Sequence, residues 1–279
     1  MAEHAKSEKR PMKVFDRPIL SYFIVSFCTL IIFSLFSAVL QILGLEGTVA
    51  DLFSLVSLIP SALVSILLVC KVFYRDTLKG IFTLEGTVDG LKMFIPLIVL
   101  NIVIFVMDRI FSGQNTLNDV LHVLALSCTA GVMEEMVFRA FVLPNFMRLK
   151  RDYKGMIFSV VFTALIFGFT HIANLTSGAD VLRTIQQTIT ASISGVLFAA
   201  VYLNTGTIIP CMLFHAFHDV VNLLFMSMTE AGGMTEGITL YNLVQQIIFS
   251  GVELYMGVRL LRAANFDKIR AIWDKKWTL

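Results

Sequence analysis

The stretch GVMEEMVFRA, Gly131 to Ala140, decides how the chain is read. It holds Glu134, Glu135 and Arg139, and the sequence on both sides is almost wholly apolar. A charge at mid-bilayer costs roughly 2.5–3.5 kcal/mol on insertion scales, so three of them require partners or a function. Glu135 and Arg139 are four residues apart and share a helix face, which predicts a structural ion pair. Glu134 is turned by about 100° from Glu135. One arginine does not readily serve both glutamates, so Glu134 stands out as the functional candidate.

The surroundings justify reading the stretch as membrane-embedded. The chain has 279 residues, of which 57% are hydrophobic and 15% charged, against about 25% charged in an ordinary soluble domain. A net charge of +2 gives no electrostatic footprint for nucleic acid. The four cysteines, Cys28, Cys70, Cys128 and Cys211, all lie in apolar runs and form no CxxC, so they read as buried small hydrophobes.

A span needs about 20 predominantly apolar residues. Eight segments qualify: 18–43, 52–74, 93–112, 119–147, 154–176, 184–204, 205–228 and 240–263. The first follows a basic segment and ends in no clear cleavage site, so it is expected to be retained. The segment 76–92 is too polar to span and is expected to form an amphipathic turn at the interface. The predicted fold is an all-α membrane protein, a polytopic bundle of about eight transmembrane helices around an intramembrane polar site. Its parts are a basic N-terminus (1–17), N-terminal helices (18–112), a core (119–228) and a last helix with a basic tail (240–279). That tail carries Trp273 and Trp277 among lysines and is expected to lie along the inner interface.

Lys and Arg cluster in the N-terminus, around 71–92, at 148–154 and from Arg259 to Lys276. Only Arg109 and Arg183 fall on the opposite side, and Arg139 lies within a span. By the positive-inside rule both termini are expected to be cytoplasmic.

Other spans carry polar groups at comparable depth. LIFGFTHIAN places His171 in an apolar helix, and CMLFHAFHDVVN holds His215, His218, Asp219 and Asn222. His215 pairs with Asp219 at i, i+4, as His218 does with Asn222. The two pairs face directions about 60° apart, so one can face a site and the other a neighbouring helix. In the sixth span Ala191, Gly195 and Ala199 form a small-residue face suited to close helix approach. Glu253, in the last span, reads as snorkelling or paired, with a place on a substrate path as the other option.

Three of these segments resemble ordered family motifs. EEMVFR fits EExxxR, FGFTH (Phe167 to His171) fits FxxxH, and HAFHD (His215 to Asp219) fits HxxxN/D. These are the motifs of the CPBP family, which comprises the CAAX prenyl proteases and the bacterial Abi proteins. The resemblance covers about residues 120–225. It implies an intramembrane endopeptidase in which Glu134 activates water and His171 positions or shares it. His215 and Asp219 would bind a metal or stabilise the oxyanion, and Glu135 and Arg139 would frame the site. The donor set Glu134, His171, His215 and Asp219 suits a divalent metal, zinc first, although no HExxH is present. An ionised Asp219 cannot donate to an oxyanion, which leaves Asn222 as the nearest spare amide.

The chain length suits the bacterial branch and a multi-pass place in the cell membrane. By analogy the substrate is then a peptide or lipid-anchored polypeptide, in bacteriocin maturation or immunity, rather than a prenylated CAAX protein. Two other readings stay open. One is a non-catalytic scaffold with a membrane-protein partner such as a sensor kinase; the intact polar set weighs against it. The other is a small transporter with a proton-relay carboxylate, and no broken helix pair supports that.

The orientation is testable directly. Reporter fusions after Leu279 and within the 229–238 connection should report opposite sides of the membrane; the same side for both would break the eight-span arrangement.

Overall fold

The structure, a computed structural model, describes residues 78–111, 117–229 and 240–277, with single positions and short stretches between Leu20 and Phe73. The expected spans 18–43 and 52–74 therefore lie largely outside the described residues, as does the basic N-terminus. Eight α-helices run through the described part: α1 (Thr87–Phe111), α2 (Leu117–Glu134), α3 (Leu143–Leu149), α4 (Tyr153–Thr170), α5 (Val181–Thr205), α6 (Ile209–Thr229), α7 (Leu240–Leu260) and α8 (Phe266–Lys276). A π-helical segment, Glu135–Val142, joins α2 to α3, and a 3-10 segment, His171–Ser177, follows α4.

The fold class is as expected: all-helical, with apolar helices of membrane-spanning length. The expected eight spans extend beyond the described residues. Among the described residues four stretches are long and apolar enough to cross a membrane: Thr87–Val106, Val120–Leu149, Tyr153–Thr176 and Val181–Thr205. Ile209–Leu224 is a shorter apolar stretch.

Helix α5 is the hub. It packs against α4 and α7 and also touches α1, α6 and α8. Its C-terminal part, Leu197 to Asn204, is buried throughout. Asp180 caps its first turn by accepting from the Arg183 amide at 2.9 Å. Gly206, with φ +70, ends it in the left-handed conformation that favours glycine. On its small-residue face, a Cβ at Gly195 would lie 3.0 Å from the Ala164 Cα and Cβ, so the α4–α5 approach uses the face expected for it.

A second close approach sets the site. A Cβ on Gly131 would lie 2.9 Å from the Ala216 amide nitrogen and the Met212 carbonyl oxygen. Helices α2 and α6 thus meet almost backbone to backbone. Glu134, the last residue of α2, and Glu135, the first of the π segment, follow about one turn later, opposite His215.

Two expectations at the periphery change. The polar segment before α1 is not a turn over its whole length, because α1 already starts at Thr87, with Asp89 in its first turn. The part before it is tied to the protein rather than free at an interface. Thr207 Oγ1 donates to the Thr83 carbonyl at 2.8 Å and the Ile208 amide to the Ile81 carbonyl at 2.9 Å. The tail forms α8, but Trp273 and Trp277 are buried against the protein. Trp273 Nε1 donates to the Leu203 carbonyl at 3.1 Å, and its ring meets Tyr202 edge-on. The indole N–H finds a backbone acceptor at the end of α5, so the tryptophans pack inward while Lys268, Arg270 and Lys275 stay exposed. Lys276 donates to the Gly80 carbonyl. Burial holds its ammonium below the usual lysine range, and Glu85 acts in the opposite sense.

The α2–α6 contact predicts a matched pair of variants. Gly131→Ala forces a methyl into backbone and should destabilise by about 1–3 kcal/mol. Gly251→Ala on α7, where nothing lies within 4 Å of the added carbon, should be neutral or stabilising. Thermal melting of the purified protein in detergent compares them; equal melting temperatures would refute the contact.

Candidate active site

Pro144 near the start of α3 removes a backbone donor and crowds the turn before it. The chain answers with a widened turn, in which the Leu143 amide donates to the Phe138 carbonyl five residues back. All eight residues of the π segment are buried. The segment starts at Glu135, so the EExxxR motif straddles the change of helix type. Glu134 ends regular helix on a half-open face, and Glu135 opens the buried turn.

Glu135 is fully buried and its Oε1 has two partners. Arg139 Nη1 donates to it at 2.8 Å, and His215 Nδ1 lies 2.9 Å away. The expected pair is present, but Glu135 also reaches across to α6. Because a carboxylate accepts, the imidazole carries its proton on Nδ1 in this contact. His215 Nε2 then faces the other two carboxylates, 3.7 Å from Glu134 Oε2 and 3.5 Å from Asp219 Oδ2. Both distances are longer than an ordinary hydrogen bond. The Glu134 and Asp219 side chains are 34% and 26% exposed against 7% for His215, so the opening lies on their side.

Arg139, buried like Glu135, is walled by aromatic rings. Its guanidinium carbon is 4.1 Å from the Phe167 ring centroid and 5.1 Å from that of Phe198, within the range of cation–π attraction. Phe167 also meets the His215 ring edge-on at 6.1 Å and the His171 ring at 5.3 Å. The motif FxxxH thus contributes its phenylalanine as well as its histidine. The sequence carried the signal in the motif's first letter, but not the ring's place between three polar side chains.

His171 stands beside this group, not in its centre. Its Nδ1 lies 3.2 Å from the Phe167 carbonyl, and a carbonyl only accepts, so Nδ1 carries the proton and Nε2 is left free. No ion pair joins it to Glu134 or Glu135 among the described residues. The second polar pair on α6 points away. His218 contacts Asn101 Oδ1 on α1 at 3.2 Å and stacks on Phe249 of α7 at 4.6 Å. Asn222 Nδ2 donates to the His218 carbonyl at 2.9 Å and lies against its ring. Asn222 is therefore part of a helix-packing network and not a spare donor at the site. Cys211, four residues before His215, is buried and donates to the Phe198 carbonyl.

A divalent metal fits the donor chemistry better than the placement. Both histidines donate Nδ1–H to an oxygen, the arrangement that leaves Nε2 as a ligand in metal sites. Yet among the described residues no three His, Cys, Asp or Glu side chains are gathered closely enough to hold an ion.

The class that emerges is a helical membrane protein with a glutamate–histidine site set inside its apolar layer. Residues 116–221 match the family described as type II CAAX prenyl endopeptidase, Rce1-like, in agreement with the CPBP motifs. All seven motif residues, Phe167 included, lie within this span. No curated protein and no solved structure matches the chain.

The buried bridge predicts strong coupling. Glu135→Leu or Arg139→Met alone leaves an unpaired buried charge and should destabilise by roughly 3–5 kcal/mol. The double variant should cost clearly less than the sum of the two. A melting-temperature double-mutant cycle measures this, and strict additivity would contradict a shared ion pair.

Proposed function

We propose that the Rce1-like domain hydrolyses peptide bonds within the membrane, with Glu134 as the base that activates water. The observation carrying this reading is the asymmetry of the two glutamates. Glu135 is consumed by Arg139 and His215, while Glu134 is open and faces the free nitrogen of His215.

The proposed reaction runs as follows. A water between Glu134 and His215 gives a proton to Glu134 as its oxygen bonds to the scissile carbonyl carbon. The proton then passes by way of His215 Nε2 to the leaving nitrogen as the C–N bond breaks. Glu135 holds the His215 tautomer through Nδ1, and Asp219 flanks Nε2. His171, with Nε2 free, shares the water. Arg139 holds Glu135 in place. The substrate is a peptide or lipid-anchored polypeptide presented at the membrane. Bacteriocin maturation or immunity, a bacterial cell membrane and cytoplasmic termini are the finer parts of the proposal.

The Nδ1–H tethers favour a second reading of the same residues, in which Glu134, His171, His215 and Asp219 hold a zinc ion. A zinc ion would supply Lewis-acid stabilisation of the oxyanion and a more acidic water.

The test is cleavage of a panel of quenched peptides, prenylated and unmodified, by purified protein in lipid vesicles. Glu134→Gln, His171→Ala and His215→Ala should each lower the rate by roughly 10²–10⁴-fold, and double variants should be scarcely worse than singles. Cleavage that survives a chelator, from protein without bound zinc, supports the metal-free route. Loss restored by zinc, with weakened retention in Asp219→Asn, supports the second reading. Wild-type cleavage by Glu134→Gln would sink both, and wild-type protein that cleaves no peptide of the panel would favour the scaffold alternative.

A further inference from the structure

The four membrane-length stretches each have one end beside α8. Trp273 Nε1 reaches the Leu203 carbonyl near the end of α5. Tyr153, the first residue of α4, donates its hydroxyl to the Leu261 carbonyl at 3.2 Å and meets the Phe266 ring edge-on. The Arg151 guanidinium, between α3 and α4, lies 5.5 Å from the Trp277 ring centroid. Shortly before α1, Leu78 pairs with Trp277 in an antiparallel bridge, and the Lys79 amide donates to the Lys276 carbonyl at 3.1 Å. Helix α8 therefore lies across one end of the bundle. The hydrocarbon core takes about 30 Å of a bilayer about 40–45 Å thick, so an element resting on the ends of the spans lies at headgroup depth.

The two sides of α8 differ. Ile269 and Trp273 are buried against the bundle. Lys268 and Lys275 are seven residues apart, so they share a face, and both are exposed. Exposed cations gather at both ends of the helix. Lys154 and Arg262 adjoin the Tyr153–Leu261 contact, near Lys268, while Lys79 and Arg151 adjoin Trp277, near Lys275. The acids of this end are engaged. Asp274 pairs with Arg270 at 3.5 Å, Asp152 with Lys150 at 3.6 Å and Asp89 with Lys92 at 3.4 Å. Glu85 acts on Lys276. Asp267 sits in the first turn of α8, where a carboxylate complements the helix dipole. Lys79, Lys154, Arg262, Lys268 and Lys275 are left without an ion pair among the described residues.

We propose that this end of the protein is a binding surface for anionic phospholipids, with the cations at the two ends of α8 meeting the headgroup phosphates. Each such cation near an anionic leaflet should strengthen association roughly fivefold. The inward tryptophans hold α8 to the bundle beforehand, so lipid binding has no backbone to order. Lipid selection here is independent of the chemistry at Glu134.

The chain has two tryptophans, Trp273 and Trp277, and both belong to this surface, so their fluorescence reports on it alone. The full chain is reconstituted in phosphatidylcholine vesicles containing brominated phosphatidylglycerol or brominated phosphatidylcholine, whose bromine quenches at short range. The proposal expects the anionic lipid to quench preferentially, with a relative association constant of roughly five or more. The preference should fall toward one in high salt and in a protein carrying Lys79→Gln, Arg262→Gln, Lys268→Gln and Lys275→Gln. Lys92→Gln, at a cation already paired, should keep it. Thermal melting in phosphatidylcholine alone should be unchanged by these exposed substitutions, and the salt dependence of the wild type tests the proposal without any variant. Equal quenching by both lipids in the wild type, or a preference that survives the four substitutions, overturns the proposal. Absence of quenching by either lipid overturns it too, because α8 would then stand away from the bilayer with its cations open to an acidic polypeptide.

Discussion

The structure hangs on one buried carboxylate oxygen. Glu135 Oε1 receives Arg139 from its own turn and His215 from α6. Neither charge is tenable alone at that depth, since removing one partner leaves the other desolvated and unpaired. The bridge therefore imposes conditions on everything around it. Helices α2 and α6 must come close, which Gly131 against Ala216 permits. The chain must turn at Glu135 so that the guanidinium enters the aromatic wall of Phe167 and Phe198. The wall in turn sets the edges of the two histidine rings.

A division of labour follows between adjacent residues. Both glutamates would be equally costly in lipid, but only Glu135 has its charge spent on structure. Glu134 is left beside the free nitrogen of His215 and on the open side. The polar groups that belong to packing are kept apart from this centre. His218, Asn101 and Asn222 join α1 to α6, and an aromatic ring of α7 covers the imidazole.

Much of this was legible in the sequence. Apolar runs gave the helices from 119 to 204 to within a few residues, because long hydrophobic segments leave little choice in a membrane. The spacing of Glu135 and Arg139 gave their pair, and the 60° between the two pairs on α6 gave their division between site and neighbour. What stayed hidden needed three-dimensional context. The π segment depends on a register change before Pro144, which composition does not encode. Phe167 was visible as the first letter of FxxxH, but not as the ring set between Arg139, His171 and His215. Trp273 and Trp277 carry the composition of an interface anchor, yet a free carbonyl at the end of α5 draws the first of them inward. Glu253 read as snorkelling or paired with a basic neighbour, and its partner, Ser194 on α5, emerged only with the fold.

The account stands or falls on Glu134 as a base acting on water and not as an attacking carboxylate. Single-turnover cleavage in ¹⁸O-labelled water, with enzyme in excess over peptide, separates the two. Attack by water puts solvent oxygen into the new peptide carboxylate on the first turnover, and that is the predicted result. An unlabelled carboxylate on the first turnover, with the label then found in Glu134, would mean that the glutamate itself attacks, and would contradict the assignment.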